Sequence, residues 1–253
     1  MSSMDAPREE LRFIPSDSTE RKIEHIKRRL VREGTLAVSM LENALAALWK
    51  LDADAARNVR RTDDQVDVEE VAIEQECYEL LALHRPFAHD FRQITFTLRV
   101  NADLERVADH ASSIAKVVQK ISDAAGPSQP VKWPTALTEL GQRVPAMCHE
   151  TLRALMDEDA DAARRLVQGD KVIDELEKRL FEEVRDMIRI MGRDDRAITI
   201  GMFTYRAGRE LERIGDLMAS TAEDIVYLKT GQIIRHEKRK ASPSGETKQA
   251  PLP

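Results

Sequence analysis

The stretch Asn101-Ala-Asp-Leu-Glu-Arg-Val-Ala-Asp-His-Ala-Ser-Ser-Ile-Ala115 combines two patterns from which a fold can be predicted. Its apolar residues recur at steps of three and four, the period of a helix packed along one seam: Leu104, Val107, Ala111 and Ile114. Glu105 and Asp109 are four residues apart, about one helical turn, so both carboxylates lie on one strip of helix surface. At ~100° per residue, that strip points away from the seam. The stretch therefore predicts a bundle helix with two acids facing outward.

A second copy of this pattern lies further along the chain, where Glu212 and Asp216 take the places of Glu105 and Asp109. The same offset relates further pairs between the two halves: Gly34 and Gly141, Asp63 and Asp170, Asp67 and Asp174, and Phe96 and Phe203. A constant offset that runs without a gap through both halves is the sign of an internal repeat. The chain is therefore predicted to hold two copies of one three-helix unit.

Capping residues, prolines and glycines divide the chain into six long helices. We predict an all-α fold of two tandem, sequence-related three-helix bundles. The segments are a flexible N-terminus at 1–15, a first unit at 16–123, a linker at 124–134, a second unit at 135–232 and a disordered tail at 233–253. The third helix is expected to begin near Arg85 and Pro86, because proline suits a first helical turn.

Composition excludes several classes of protein. Charged residues make up 33% of the chain and aromatic residues only 4%, which is typical of long helices. The net charge of −6 argues against nucleic acid as a main partner, since phosphate backbones bind basic surfaces. No apolar run reaches the ~18–20 residues of a membrane span, and the first residues lack a signal-peptide core. We therefore expect a cytoplasmic protein, with at most peripheral membrane association through its partners.

Carboxylates on facing helices suggest a metal site. Acid pairs at the same spacing occur in the second and third helix of each unit. If these helices are antiparallel neighbours, four carboxylates per unit converge on one patch, and oxygen clusters of this kind hold hard cations. The candidate ligands are Asp63, Asp67, Glu105, Asp109, Asp170, Asp174, Glu212 and Asp216. The alternative is a solvated face on which Arg106 and Arg213 neutralise the acids.

The same residues resemble a known family. Leu104-Glu-Arg-Val-Ala-Asp-His110 and Leu211-Glu-Arg-Ile-Gly-Asp216 are similar to the twin signatures of the PhoU family, and the segment 85–92 resembles the one that opens that family's third helix. The resemblance implies a non-enzymatic, often dimeric negative regulator, which links the ATPase of a phosphate ABC transporter to a phosphate-sensing histidine kinase. It also implies iron or zinc clusters on the eight acids named above.

Two departures from the family pattern bear on the metal sites. The histidine that closes the first signature is present as His110 but is replaced by Leu217 in the second unit, and Lys116 places a cation near the first acids. We therefore expect metal occupancy to differ between the units. Two other functions stay open at this point, a metal-dependent phosphohydrolase and a helical scaffold or chaperone-like protein. Against the phosphohydrolase, the sequence contains neither a nucleophile elbow nor a phosphate loop.

Overall fold

The computed structural model describes residues 16–84, 86–126 and 131–234, with the side chains of 16–18 excepted. The segments predicted to be flexible, 1–15 and most of the tail, lie outside these ranges. The described chain is helical without strands, as predicted. Its helices are α1 (Ser16–Lys50), α2 (Ala53–His84), α3 (His89–Ala125), α4 (Thr135–Asp157), α5 (Ala160–Met191) and α6 (Asp195–Thr230). In this described part, no helix has an apolar stretch long enough to cross a bilayer.

Aspartate side chains cap the starts of α2, α5 and α6. Asp52 and Asp159, which are equivalent in the repeat, each accept two backbone N–H groups at the start of α2 and α5. The start predicted for the third helix at Arg85 and Pro86 is wrong, because α3 begins at His89. Ala88 has a positive φ of 36° just before the helix, so Pro86 precedes a turn and does not belong to the first helical turn.

The helices of the described chain pack around a large apolar core, with a smaller apolar cluster among α1, α2 and α3. Helices α1–α3 form the first unit and α4–α6 the second; α3 also packs along α6, and α1 along α4. A continuous cluster of buried side chains draws on all of these helices and includes the seam of α3. The α1–α4 contact has approximate two-fold symmetry, since Gly34 lies against Leu152 while Gly141 lies against Leu45 and Trp49. The repeated units are therefore two halves of one packed body.

Candidate metal centre

The second unit brings three predicted ligands together. Asp170 and Asp174 lie one turn apart on α5, and Asp216 faces them from α6. One carboxylate oxygen from each lies within 4.8 Å of the other two. Asp170 is buried, at 8% exposure, whereas Asp174 is half-buried and Asp216 is exposed. The cluster is thus closed on the side of the core and open to solvent at Asp216.

Glu212, the fourth predicted ligand of the second unit, lies beside these three carboxylates. Burial raises its pKa, and the charges of Asp216, Glu177 and Asp174 raise it further against the opposing charge of Arg209. Its Oε1 is 3.2 Å from Nη1 of Arg209. Its buried Oε2 has no hydrogen-bond partner in the described part of the chain. We call Asp170, Asp174, Glu212 and Asp216 the second-unit acid patch.

The first unit places its four predicted ligands on the corresponding surface but less tightly. Asp63 and Glu105 are half-buried, and Asp67 and Asp109 are exposed. Burial raises the pKa of Glu105, as do the charges of Asp109 and Asp67. Within residues 16–84, 86–126 and 131–234, however, three carboxylates bring their oxygens within 4.8 Å of one another in the second unit alone. We call Asp63, Asp67, Glu105 and Asp109 the first-unit acid patch.

Lys116 acts electrostatically on the first-unit acid patch. The pKa of Asp63 is raised, chiefly by burial and also by the charges of Asp109 and Asp67. The Ser112 hydroxyl and the charge of Lys116 both act in the opposite direction and lower this pKa. A nearby ammonium group stabilises the same ionised carboxylate that a metal ion would stabilise. A cation bound at this patch would therefore compete with Lys116.

Glycines explain how α5 and α6 approach so closely. Gly201, Gly208 and Gly215 recur every seven residues on α6, and each faces a large side chain of α5. A Cβ atom added to Gly208 would lie 1.9 Å from Leu180, and one added to Gly215 would lie 2.9 Å from Ile173. The equivalent residues of α3 are Ile94, Asn101 and Ala108, which all carry side chains. Close contact between helices is thus built into the second unit at the level of Asp174 and Asp216.

His110 is held by the second unit. Its Nδ1 lies 2.8 Å from Oε2 of Glu210, a carboxylate with 5% exposure on α6. Burial raises the pKa of Glu210, but the hydrogen bond to His110 and the charges of His110, Arg213 and Arg206 outweigh it, and the pKa is lowered. Sequence reasoning missed Glu210. The sequence feature that could have indicated a buried acid is the position of Glu210 in the apolar stripe of α6, seven residues after Phe203 and seven before Leu217.

The two acid patches open onto a common groove. Asp109 and Asp216 both line a groove of about 500 Å³ between α3 and α6, together with Arg106, Arg213, His110 and Leu217. Arg209 contacts Glu212 of the second-unit acid patch, whereas Arg213 lies 3.7 Å from Glu210. A solvated face on which Arg106 and Arg213 neutralise the acids stays the alternative to a metal site.

The donor set of the second-unit acid patch fits a hard cation. Two oxygens bound to one ion at roughly 2.0–2.5 Å lie at most about 5 Å apart, so the three clustered oxygens can share one ion without rearrangement of the helices. The like charges in the patch also repel one another, and a cation relieves that repulsion. Asp170, Asp174 and Asp216 would bind the ion, with Glu212 beside them.

The fold and the site define an all-helical protein of two repeated three-helix units, each with an acid patch on its second and third helices. A family model described as "PhoU domain" matches residues 30–118 and 137–225, two ranges related by the same offset as the acid pairs. The chain belongs to the PhoU family.

Curated proteins and solved structures agree with this assignment. The chain is 33% identical to the phosphate-specific transport system accessory protein PhoU homolog of Pseudomonas aeruginosa, over 85% of this chain and 86% of that protein. It is 31% identical to the Escherichia coli protein PhoU, over 85% and 86% of the two chains. The crystal structure of PhoU from Pseudomonas aeruginosa superposes with a TM-score of 0.77, at 31% identity, over 84% of this chain and 99% of that one.

Proposed function

We propose that this protein is a non-enzymatic regulator of phosphate uptake and phosphate-starvation signalling. It acts as a negative regulator of the phosphate regulon when phosphate is plentiful. The observation that carries the proposal is the match of both three-helix units to the PhoU domain, with relatives that are named accessory proteins of the phosphate-specific transport system. The protein works in the cytoplasm, where the ATPase of the phosphate ABC transporter and the sensor kinase present their soluble domains.

The proposed partners are that ATPase and the phosphate-sensing histidine kinase, and the active form is a homodimer. A pull-down from cells grown with ample phosphate tests this. The protein should retain both the ATPase and the kinase. Binding to neither partner, in either high or low phosphate, would overturn the proposal.

The proposed metal site is the second-unit acid patch, which would hold a divalent or trivalent ion such as iron or zinc. The clustering of Asp170, Asp174 and Asp216 supports this assignment. When bound, the ion supplies a fixed positive charge that joins α5 to α6 at the mouth of the groove. The chain's own carboxylates bind and orient it, and no chemical step is assigned to it.

The double change Glu212→Ala with Asp216→Ala should remove the metal of the second unit and leave helix content almost unchanged, because both residues lie off the apolar seam. Elemental analysis of protein purified without chelators or affinity tags measures this, with circular dichroism as the check on folding. The matched control is Glu105→Ala with Asp109→Ala at the equivalent positions. This variant should lose less bound metal than the second-unit variant does. Full metal content in the second-unit variant would refute the assignment.

A further inference from the structure

One polar residue from each helix of the first unit lies at a common place in the bundle. These residues are Glu33 of α1, Glu70 of α2 and Asn101 of α3, and they belong to neither acid patch. Glu33 and Asn101 are 2% and 1% exposed, whereas Glu70 is half-buried. The second unit has Leu140 in place of Glu33 and Gly208 in place of Asn101. The second unit therefore lacks this buried polar pair.

The three residues lie where the apolar packing of the first unit is divided. Nδ2 of Asn101 donates a hydrogen bond of 2.9 Å to the backbone oxygen of Glu70. Burial raises the pKa of Glu33, and the charge of Glu70 is the next largest cause, so the two carboxyl groups lie near each other. On α2, Val66 belongs to the large apolar cluster and Ile73 to the smaller one, and Glu70 lies between them. A polar layer therefore separates the two apolar clusters at this level of α2.

The buried oxygen atoms of this layer lack donors. Both carboxylate oxygens of Glu33 and Oδ1 of Asn101 are buried without a hydrogen-bond partner in the described part of the chain. Arg29 lies one turn before Glu33 and lowers its pKa, but the guanidinium group of Arg29 is bonded to Glu69 at 2.7 Å and to Glu76. Buried polar groups are normally hydrogen-bonded, and an exception points to an ion or a water that completes the site. One cation would satisfy the three acceptors together.

The chemistry of these side chains selects a hard cation. Glu33 and Glu70 offer carboxylate oxygens and Asn101 an amide oxygen, which are the ligands that Mg²⁺ and similar ions prefer. Mg²⁺ is commonly held by one or two carboxylates and keeps several water molecules. It therefore does not require three clustered carboxylates like those of the second-unit acid patch. Because Glu70 is half-buried, one side of the site is open for those waters.

We propose that Glu33, Glu70 and Asn101 form a binding site for a hard divalent cation such as Mg²⁺ in the interior of the first unit. We call these three residues the inner site. Glu33 and Asn101 bind the ion from the side of the core, and Glu70 binds it, or one of its waters, from the side of the solvent. The charge of Glu105 also raises the pKa of Glu33, so a cation here relieves repulsion between the inner site and the first-unit acid patch. The ion takes the place that the buried side chain of Leu140 fills in the second unit.

A fourfold variant of the full chain separates the inner site from the two acid patches. Its changes, which remove two acids from each patch and keep the size of each side chain, are Asp67→Asn, Asp109→Asn, Asp174→Asn and Asp216→Asn. The metal-free protein is titrated with Mn²⁺, a stand-in for Mg²⁺ whose free form is measured by electron paramagnetic resonance, with circular dichroism as the folding control. The fourfold variant should bind one Mn²⁺ per chain at the inner site, and excess Mg²⁺ should displace it.

Glu33→Leu removes the most deeply buried carboxylate of the inner site. Added to the fourfold variant, it should weaken Mn²⁺ binding at least about tenfold, since changes behind the metal ligands already cost that much and Glu33 is itself a ligand. The protein should stay folded, because leucine occupies the equivalent buried position of the second unit. The matched control Glu79→Gln removes one exposed carboxylate of α2 and should leave the affinity for Mn²⁺ unchanged. Without the fourfold changes, Glu33→Leu should bind one Mn²⁺ fewer per chain than the wild type.

Two results would overturn the proposal. The first is a folded fourfold variant that binds no Mn²⁺ at millimolar concentration, which would make Glu33 a protonated acid without a cation. The second is a Glu33→Leu variant that binds Mn²⁺ with the affinity and the stoichiometry of its parent, which would place the bound ion elsewhere. Both results are separate from the pull-down of the ATPase and the kinase, because the inner site is proposed independently of the regulatory function.

Discussion

Glu33 is a buried carboxyl group in the middle of the first unit. It is 2% exposed, and neither of its carboxylate oxygens has a hydrogen-bond partner within the described ranges. Burial raises its pKa from 4.5 to about 8, reinforced by the charges of Glu70, Glu69 and Glu105 and opposed by that of Arg29. The equivalent residue of the second unit is Leu140, which is fully buried. The first unit thus has a buried acid at a position where the second unit has a buried leucine.

Replacing Glu33 by leucine should stabilise the protein above neutral pH. Because the folded-state pKa is raised, the folded protein favours the protonated acid. Stability from this residue is fully present below about pH 4.5 and is lost as pH rises through about 8, with an effect of a few kcal/mol. Thermal unfolding should show a higher Tm for Glu33→Leu at about pH 8 and a weaker dependence on pH. The control Glu33→Gln should also show a weaker dependence of Tm on pH. If Tm changes with pH in these variants as steeply as in the wild type, this account is contradicted.

Residue positions were predictable from the sequence where they repeat. Spacing and offset identified the eight acids of the two patches as candidate ligands, and the structure shows three of them gathered. Glu33 and Glu210 were not found, because each is a single polar residue in an apolar stripe. A pattern built on periodicity treats such a residue as an interruption of the apolar stripe, and gives no indication that the acid is buried.

At the scale of elements, the two units differ in how closely their second and third helices can approach. Gly208 and Gly215 admit Leu180 and Ile173 against the backbone of α6, whereas α3 has Asn101 and Ala108 at these places. Gly215 precedes Asp216, and Ile173 precedes Asp174. The helix contact and the clustered carboxylates therefore occupy the same turn of the second unit.

Gly215→Ala should weaken metal binding at the second-unit acid patch about tenfold or more, because the added methyl group pushes Ile173 and its helix away. Isothermal titration calorimetry of the metal-free protein with zinc measures the affinity for the metal. Leu211→Ala is the matched control. It destabilises the same helix by removing a buried side chain and adds no volume between α5 and α6. An affinity for zinc unchanged in Gly215→Ala would show that the glycine contact does not position the ligands.

The periodic seams gave the number and order of the helices, and the capping residues placed most of their ends close to the observed ones. The start of α3 was misplaced because proline is compatible with a first turn, and no propensity indicates that Ala88 adopts a positive φ. The difference between the two acid patches could not be predicted from spacing. It depends on the distance between helices, which is set by the side chains that pack between them.

At the scale of the whole molecule, one large apolar cluster of the described helices extends through both units, so we expect the units to unfold together. Polar contacts join the units as well: His110 with Glu210, and Arg99 with Asp224 at 3.2 Å. The constant offset between the halves predicted two units but gave no indication of how they pack on each other. That arrangement is set by contacts between helices of different units, which the offset does not describe.

Calorimetry should therefore give a single unfolding transition for the full chain. Leu104→Ala and Leu211→Ala, at equivalent buried positions of the two units, should each shift the entire transition, with a cost of about 2–5 kcal/mol. Two separate transitions, of which each variant moves only one, would show instead that the units unfold independently.

The central claim is that the protein represses the phosphate-starvation response when phosphate is plentiful. Alkaline phosphatase expression in phosphate-rich medium tests it most directly, in the parent strain, a strain that lacks the protein, and that strain with the protein restored. The account predicts high expression only in the strain that lacks it. Equally low expression in all three strains would contradict the account.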